Sequence, residues 1–479
     1  MSAPAKAAKP MSFRRLSRRA LSIGAVKASD KAMKFLLPVV LVRCLDTATF
    51  GEYRLLWLVV GTVMTIATLN MAGGLNYFLP RSDAPTKRLY VHHTMLFLAL
   101  SALLFTALTG PWNPFLPEAI APLRKYGALV PAFVGLWVAA VLLDYLPTID
   151  ERIGWQALAT GSVATLRVTL VALGAWASGE MYVILYLLLA LVLVKFSLLL
   201  AYVWRWHGLG RPWFDRATFT EQFRHSAPIG ASSAMFALRS QADQWVAASL
   251  FALSSFAAFS IAAIVGQVVQ ILRHSVMEAF MPTMSRMHAA GDVRGMMEMN
   301  SRANVMVARL LYPMLAFAFV FAEDLVTLVY TGAYIEAAPV MRVYVIGMAV
   351  MAIEVGSIVL LLRQGAYALR ITSALLLVSV AISWSAAQGL GLPGAALGSV
   401  LAIYLDRTLL LHRVARQTGI PLGKLQDWNS LLYAAATAAV AGAVAWYFAS
   451  HANSFVRLAV GLTVLMATYA ALNFRTLRR

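Results

Sequence analysis

Long apolar runs alternate with short polar connections along most of the chain. The runs fall at 22–44, 54–79, 90–110, 126–148, 154–177, 181–203, 226–250, 253–279, 303–322, 338–362, 367–388, 392–412, 430–450 and 454–474. An apolar helix needs about 20 residues to cross a bilayer, and each run is close to that length or longer. Lipid offers a peptide group no hydrogen-bonding partner, so runs of this kind are expected as α-helices. The pattern therefore predicts an all-α, polytopic integral membrane protein with about fourteen transmembrane helices.

The connections divide the runs into groups. Trp204 to His225, WRWHGLGRPWFDRATFTEQFRH, is polar, basic and aromatic. It is expected as an amphipathic linker (204–225) on the cytoplasmic face. It separates a first lobe, 22–203 with helices 1–6, from a second, 226–412 with helices 7–12. Arg413 to Asn429 then sets helices 13 and 14 (430–474) apart, and residues 1–21 form a basic cytoplasmic segment. The two lobes echo each other. Phe50-Gly51-Glu52-Tyr53-Arg54-Leu55 leads into helix 2, and Phe256-Ala257-Ala258-Phe259-Ser260-Ile261 into helix 8, as repeated halves of a transporter would.

Composition agrees. Of the 479 residues, 60% are hydrophobic and 13% charged, against about 25% charged in soluble domains. Mean hydropathy is +0.72. The net charge of +19 would suggest nucleic acid on a soluble chain, but here two causes fit better: basic cytoplasmic connections, and cations kept inside the bundle for an anionic passenger. With the N-terminus inside, the even connections carry Arg81, Lys87, Arg88, Arg152, Arg205, Arg211, Arg216, Arg224, Arg286, Arg294, Arg302, Arg363, Arg370, Arg413, Arg416 and Lys424. The opposite connections hold Asp46, Glu52, Glu180, Glu323, Asp324 and Glu336, with Arg124 and Lys125 the main exception. This is the positive-inside pattern, and it predicts both termini in the cytoplasm. SRRALSI, Ser17 to Ile23, looks like a twin-arginine signal, but Lys27, Asp30, Lys31 and Lys34 occupy the place of its apolar region. A single cysteine, Cys44, excludes an intrachain disulfide, and the eight histidines form no metal-ligand spacing. No cofactor is expected, and the absence of a Gly-rich P-loop argues against ATP hydrolysis.

Several stretches resemble the polysaccharide flippases, the lipid-linked oligosaccharide exporters of the superfamily that also holds the multidrug and toxin extruders and the lipid II flippase. TATFGEYRL (Thr47–Leu55) resembles their outer turn after helix 1, and NMAGGLNYFLPR (Asn70–Arg81) the end of helix 2. FMPTMSRM (Phe280–Met287) is similar to the exit from helix 8. YTGAYIEAAPVMRV (Tyr330–Val343) resembles the approach to helix 10, and GLPGAALGSV (Gly391–Val400) that to helix 12. The resemblance implies alternating access by two six-helix lobes around a cationic cavity. The passenger would be a sugar chain on polyprenyl pyrophosphate, destined for a lipopolysaccharide or exopolysaccharide. Its implied partners are this anionic lipid, membrane lipids, and the polysaccharide polymerase and chain-length machinery.

Charge inside a span costs ~2.5–3.5 kcal/mol, so it usually has an interior role. Arg167 sits mid-span in helix 5, where it can meet a pyrophosphate or bind backbone carbonyls at a helix break. Lys27, Lys31 and Lys34 form one face of helix 1, either as a phosphate-receiving stripe or as snorkelling side chains. Asp30 would limit their repulsion, and Pro38 would let the helix bend. Arg239 and Asp243, four apart on helix 7, either pair with each other or face helix 1. Asp30, Asp243 and Glu354 are the coupling candidates, with Asp406 also considered. Arg273, Asp144, Arg309 and Glu278 read as interface anchors near helix ends, Asp406 and Arg407 as structural, and Lys195 as cavity residue or snorkeller.

An enzyme is not expected. A membrane polymerase or ligase would need a catalytic region on an outer connection, and 110–125 and 323–337 show none. A multidrug exporter of the same superfamily is the transporter alternative, although cationic drugs would favour an acidic cavity. Neutralising Lys31 and Lys34 together is expected to abolish export while leaving a folded protein. Full export by that double variant would contradict the stripe assignment.

Overall fold

The computed structural model describes residues 36–451 and 453–477. Among these residues, the secondary structure is helical throughout. In chain order the helices are α1 (36–44), α2 (Thr47–Ala67), α3 (Met71–Phe78), α4 (Ala84–Thr109), α5 (Leu129–Ala139), α6 (Leu146–Ile149), α7 (Ile153–Ser178), α8 (Met181–Trp206), α9 (Arg216–Leu250) and α10 (Leu253–Ala262). They continue as α11 (Ile264–Ala289), α12 (Val293–Val320), α13 (Ala322–Tyr330), α14 (Ala337–Ala349), α15 (Gly356–Leu361), α16 (Gly365–Leu390), α17 (Leu392–Thr418), α18 (Leu422–Leu425), α19 (Trp428–Ala449) and α20 (Ser454–Leu477). Eleven helical stretches are long and apolar enough to cross a membrane, and Ala337–Ala352 is a shorter apolar one. The charged α9 is not among the eleven. The protein is a polytopic, all-α membrane protein.

The chain forms two compact units. One comprises residues up to Leu45, Val63–Leu116 and Leu123–Ala231; the other comprises Asp46–Thr62, Pro117–Pro122 and Ser232 onward. Several helices depart from the expected spans. The stretch from Thr47 was expected as an outer turn but is the first turn of α2. Asp46 caps it, accepting from the Ala48 and Thr49 amides at 2.9 and 3.0 Å and from the Thr49 hydroxyl at 2.5 Å. A carboxylate in this position satisfies amides that a new helix leaves unpaired. The same run then breaks between α2 and α3, where Leu69 and Asn70 have φ of 38° and 57°. The run at 126–148 tightens into a 3-10 turn over Ala140–Asp144. Asp215 caps α9 through the Thr218 amide at 2.8 Å and hydroxyl at 2.6 Å, so helix begins inside the expected linker. The Thr218 bonds hold the Asp215 carboxyl below the ordinary carboxylate range.

In the first unit, α4 packs on α5 and α7 on α8. Several of its buried polar groups are paired. Lys195 was open between two roles; it is buried in an ion pair with Asp144 at 2.7 Å, 4.7 Å from the Trp137 ring centroid. Asp150 accepts from the Tyr202 hydroxyl at 2.7 Å and contacts His207 Nε2 at 2.8 Å. Both adjacent histidines are fully buried. His92 stacks on Trp213 with centroids 4.2 Å apart, and His93 Nε2 accepts from the Asp215 amide at 2.9 Å.

In the second unit, α16 and α17 pack along GLPGAALGSV. A Cβ on Gly394 would lie 2.1 Å from the Ala386 carbonyl oxygen, and one on Gly398 would lie 2.1 Å from that of Ser379. Small residues four apart let two backbones approach this closely, as in other membrane helix pairs. α19 packs on α20 and α12 through Ala438, Ala441, Ala445 and Ala449, against Phe321, Leu465 and Tyr469. Gly398→Leu is expected to destabilise the protein by about 1–3 kcal/mol, read as a lower unfolding temperature in detergent. Gly389→Ala, on the partner helix α16 but facing open space, should leave that temperature unchanged.

Candidate functional site

Within the second unit lies a cavity of ≈ 620 Å³ with an unusual lining for a membrane interior. Four arginines border it (Arg54, Arg239, Arg273 and Arg407), together with three carboxylates, Asp243, Glu354 and Asp406. Five helices and one helix break supply these groups: α2, α9, α11 and α17 carry the cations, α9 and α17 two of the anions, and α14 adds Tyr344.

The break is what brings Glu354 in. The run at 338–362 was expected as one continuous helix, but it stops at α14, passes through a 3-10 turn over Val350–Ala352, and resumes as α15 at Gly356. Ile353 has extended backbone and Val355 an irregular one. The freed peptide groups are met by α12. Glu354 N–H donates to Asn304 Oδ1 at 3.0 Å, and its carbonyl accepts from Asn300 and Asn304 Nδ2 at 3.1 and 3.3 Å. Asn304 also donates to Gln426 Oε1 at 3.0 Å. Irregular backbone at membrane depth is sustained only where protein groups satisfy it, and such breaks commonly line ligand sites in transporters.

The charges are arranged in distinct ways. Glu354 Oε2 accepts from Arg273, while Oε1 accepts from the Ser357 amide at 3.1 Å. Arg273 also donates to Gln270 at 2.6 Å. Asp243 accepts from the Tyr344 hydroxyl at 2.7 Å. Arg407 Nη1 lies 3.8 Å from Asp406, and Nη2 meets the Met351 sulfur at 3.6 Å. Arg54 is committed to Ser260, through the hydroxyl at 2.9 Å and the carbonyl at 3.2 Å. The Nε–H groups of Arg239, Arg273 and Arg407 are buried without a hydrogen-bond partner among the described residues. Those three side chains are 8–9% exposed, so each is an almost fully buried cation with a donor still to give. Together they leave three unpartnered N–H donors among the residues that line one cavity.

Of the residues singled out from sequence, Arg239, Asp243 and Glu354 come together here. No ion pair joins Arg239 to Asp243 among the described residues, since Asp243 turns to Tyr344. Arg167 is half-buried on α7 and does not line this cavity. Lys27, Asp30, Lys31 and Lys34 lie outside the described residues. Two readings are corrected. Arg273 is not an anchor near a helix end, because α11 runs on to Ala289 and leaves it well inside. Asp406 and Arg407 line the cavity as well as holding α17. Arg54 went unweighed within TATFGEYRL, and only its partner Ser260, two hundred residues later, reveals its place.

The family described as polysaccharide biosynthesis protein matches residues 16–288, more than half of the chain. The chain belongs to this family. The match takes in α2, α9 and α11, and with them three of the four cavity arginines. No curated protein matches the sequence. Among solved structures, the lipid II flippase MurJ in an inward closed conformation aligns with a TM-score of 0.72 at 13% identity, covering 94% of this chain and 100% of that one. An inward-facing multidrug resistance MATE family transporter of the MOP superfamily aligns at 0.63 and 14% identity, covering 81% and 95%. Its outward-facing counterpart aligns at 0.54 and 15%, covering 85% and 96%. At such identities the likeness shows a shared fold.

The Arg273–Glu354 pair makes a stability prediction. Arg273→Met strands a buried carboxylate and is expected to cost about 3–5 kcal/mol, whereas Arg273→Met with Glu354→Met should recover most of that loss. Thermal unfolding of the two variants in detergent checks it; equal destabilisation of both would show that the pair's charges are not what matters.

Proposed function

We propose that this protein is a flippase that moves a polyprenyl-pyrophosphate-linked oligosaccharide from the cytoplasmic to the outer leaflet of a bacterial inner membrane by alternating access. The observation that carries the reading is the arginine cavity. Arg239, Arg273 and Arg407 offer unused donors in a space from which a pyrophosphate could draw charge-assisted hydrogen bonds. Arginine forks match phosphate oxygens in geometry as well as charge. The lipid II flippase, which shares the fold, also handles a lipid-linked precursor by its name.

A second feature suits an amphiphile. The same unit holds an apolar cavity of ≈ 740 Å³ lined by Tyr312, Phe319, Ala438, Ala443 and Trp446. Helix α14 borders both spaces. Tyr344 and Met348 line the charged one, while Val345, Ile346 and Ala349 line the apolar one. These two sets lie on adjoining faces of the helix. A passenger with an anionic head and an isoprenoid tail could use both faces of α14. Cationic drugs, by contrast, would meet four guanidinium groups against three carboxylates, an excess of positive charge.

Deleting the gene in its host should remove surface polysaccharide and trap the lipid-linked precursor on the cytoplasmic leaflet. Export by Arg239→Gln with Arg407→Gln should fall at least tenfold while the protein remains in the membrane. Precursor reaching the outer leaflet unpolymerised would point instead to a polymerase or ligase. Normal polymer and precursor, with no redundant exporter, would redirect the reading to drug efflux.

A further inference from the structure

We infer that Glu354 is an internal occupant of the anion site, holding Arg273 in the empty protein and giving it up to the phosphate groups of an incoming ligand. The inference takes its ligand class from the flippase reading; the geometry stands without it.

The argument begins with the two halves of Glu354. Its backbone is fixed, because Asn300 and Asn304 bind its amide and carbonyl from α12. Its side chain is attached to a three-residue break rather than to a helix face, and reaches Arg273 on α11. The carboxylate can therefore leave the guanidinium by side-chain rotation, with no helix required to move. The Ser357 amide, 3.1 Å from Oε1, keeps one hydrogen bond available to it after release.

A guanidinium binds carboxylate and phosphate through the same pair of parallel N–H groups, so the two compete for one face of Arg273. Phosphate brings more charge and more acceptor oxygens, and the vacant Nε–H groups of Arg239 and Arg407 can add to its binding but lie unused while Glu354 is bound. The remaining carboxylates are occupied differently. Asp243 is held by Tyr344 at 2.7 Å, and Asp406 sits beside Arg407 at 3.8 Å. Glu354 is thus the cavity carboxylate hydrogen-bonded to a cavity arginine.

The exchange serves two ends. It neutralises a buried cation when no ligand is present, which an uncompensated Arg273 could not tolerate. It also weakens ligand binding by the fraction of time that Arg273 is covered, and so promotes release. A carrier that must let go of a multiply charged anion gains from this competitor.

The test is binding of inorganic pyrophosphate to the detergent-purified protein, and of polyprenyl pyrophosphate to the protein in nanodiscs. Glu354→Gln should tighten binding about tenfold, while Asp243→Asn, which removes the same charge from the same cavity, should change it less than twofold. Adding Arg273→Gln to Glu354→Gln should abolish the gain. If Glu354→Gln is not recovered folded, Glu354→Asp, whose shorter side chain holds Arg273 less well, should show a smaller tightening. Tightening seen with both probes supports the exchange at a lipid headgroup. Tightening with inorganic pyrophosphate alone supports the exchange and removes the pyrophosphate lipid as passenger. Equal tightening by Glu354→Gln and Asp243→Asn would reduce the effect to general charge and overturn the inference, as would no tightening or no binding of either probe.

Discussion

The second unit depends on one interaction, the grip of the Asn304 side-chain amide on the backbone of Glu354. A peptide group released from a helix inside hydrocarbon has no water to bond, and each unsatisfied group costs several kcal/mol. Asn304 returns both lost bonds at once, through Oδ1 and Nδ2, and Asn300 adds a third. With the break secured, α14 and α15 need not be collinear, and Glu354 need not lie on a helix face. The site follows from that freedom. The same amide nitrogen also bonds Gln426, so the connection leading to α19 is tied to the residue that sustains the break.

Charge in this unit is concentrated and nearly balanced. Four arginines face three carboxylates in one cavity, whereas the second cavity that α14 borders is mostly apolar, with Arg342 its one charged lining residue. A balanced cluster is easier to hold in a membrane than the same cations alone, because each carboxylate offsets desolvation of its neighbour. Balance does not mean saturation. The guanidinium group has five donors, and even two acceptors, as Arg273 and Arg54 each have, leave most of them unused. A cavity can therefore be close to neutral and still attract an anion with several oxygens.

The fold was largely legible in the apolar runs, because a bilayer sets helix length by thickness and the sequence must supply it. What was not legible lay where local pattern and tertiary environment part. Nothing in MAIEVGS marks a break, since its cause is a pair of asparagines on α12, fifty residues earlier. Helices α9, α11, α12 and α17 extend past the apolar runs into polar sequence, so distance from a run's end was a poor guide to depth. That is why Arg273 read as an anchor. Arg239, Asp243 and Glu354 were found because an isolated charge in an apolar span is visible without any partner. Arg54 and Arg407 were missed as site residues because one adjoins a polar turn and the other an acidic neighbour, and each had a plausible local explanation.

The low hydropathy of α9 has a consequence for how the protein is made. This helix carries Arg239 and Asp243 in its interior, and each charge opposes transfer from the translocon by ~2.5–3.5 kcal/mol. The group that receives Asp243 is the hydroxyl of Tyr344, 101 residues downstream. The cavity's remaining charges on α17 come later still. While the ribosome is still adding those residues, Asp243 lacks the hydroxyl that receives it. Its entry into the bilayer must therefore be completed jointly with α14 and α17, so that the charges that define the site also set the order in which this half of the protein can be assembled.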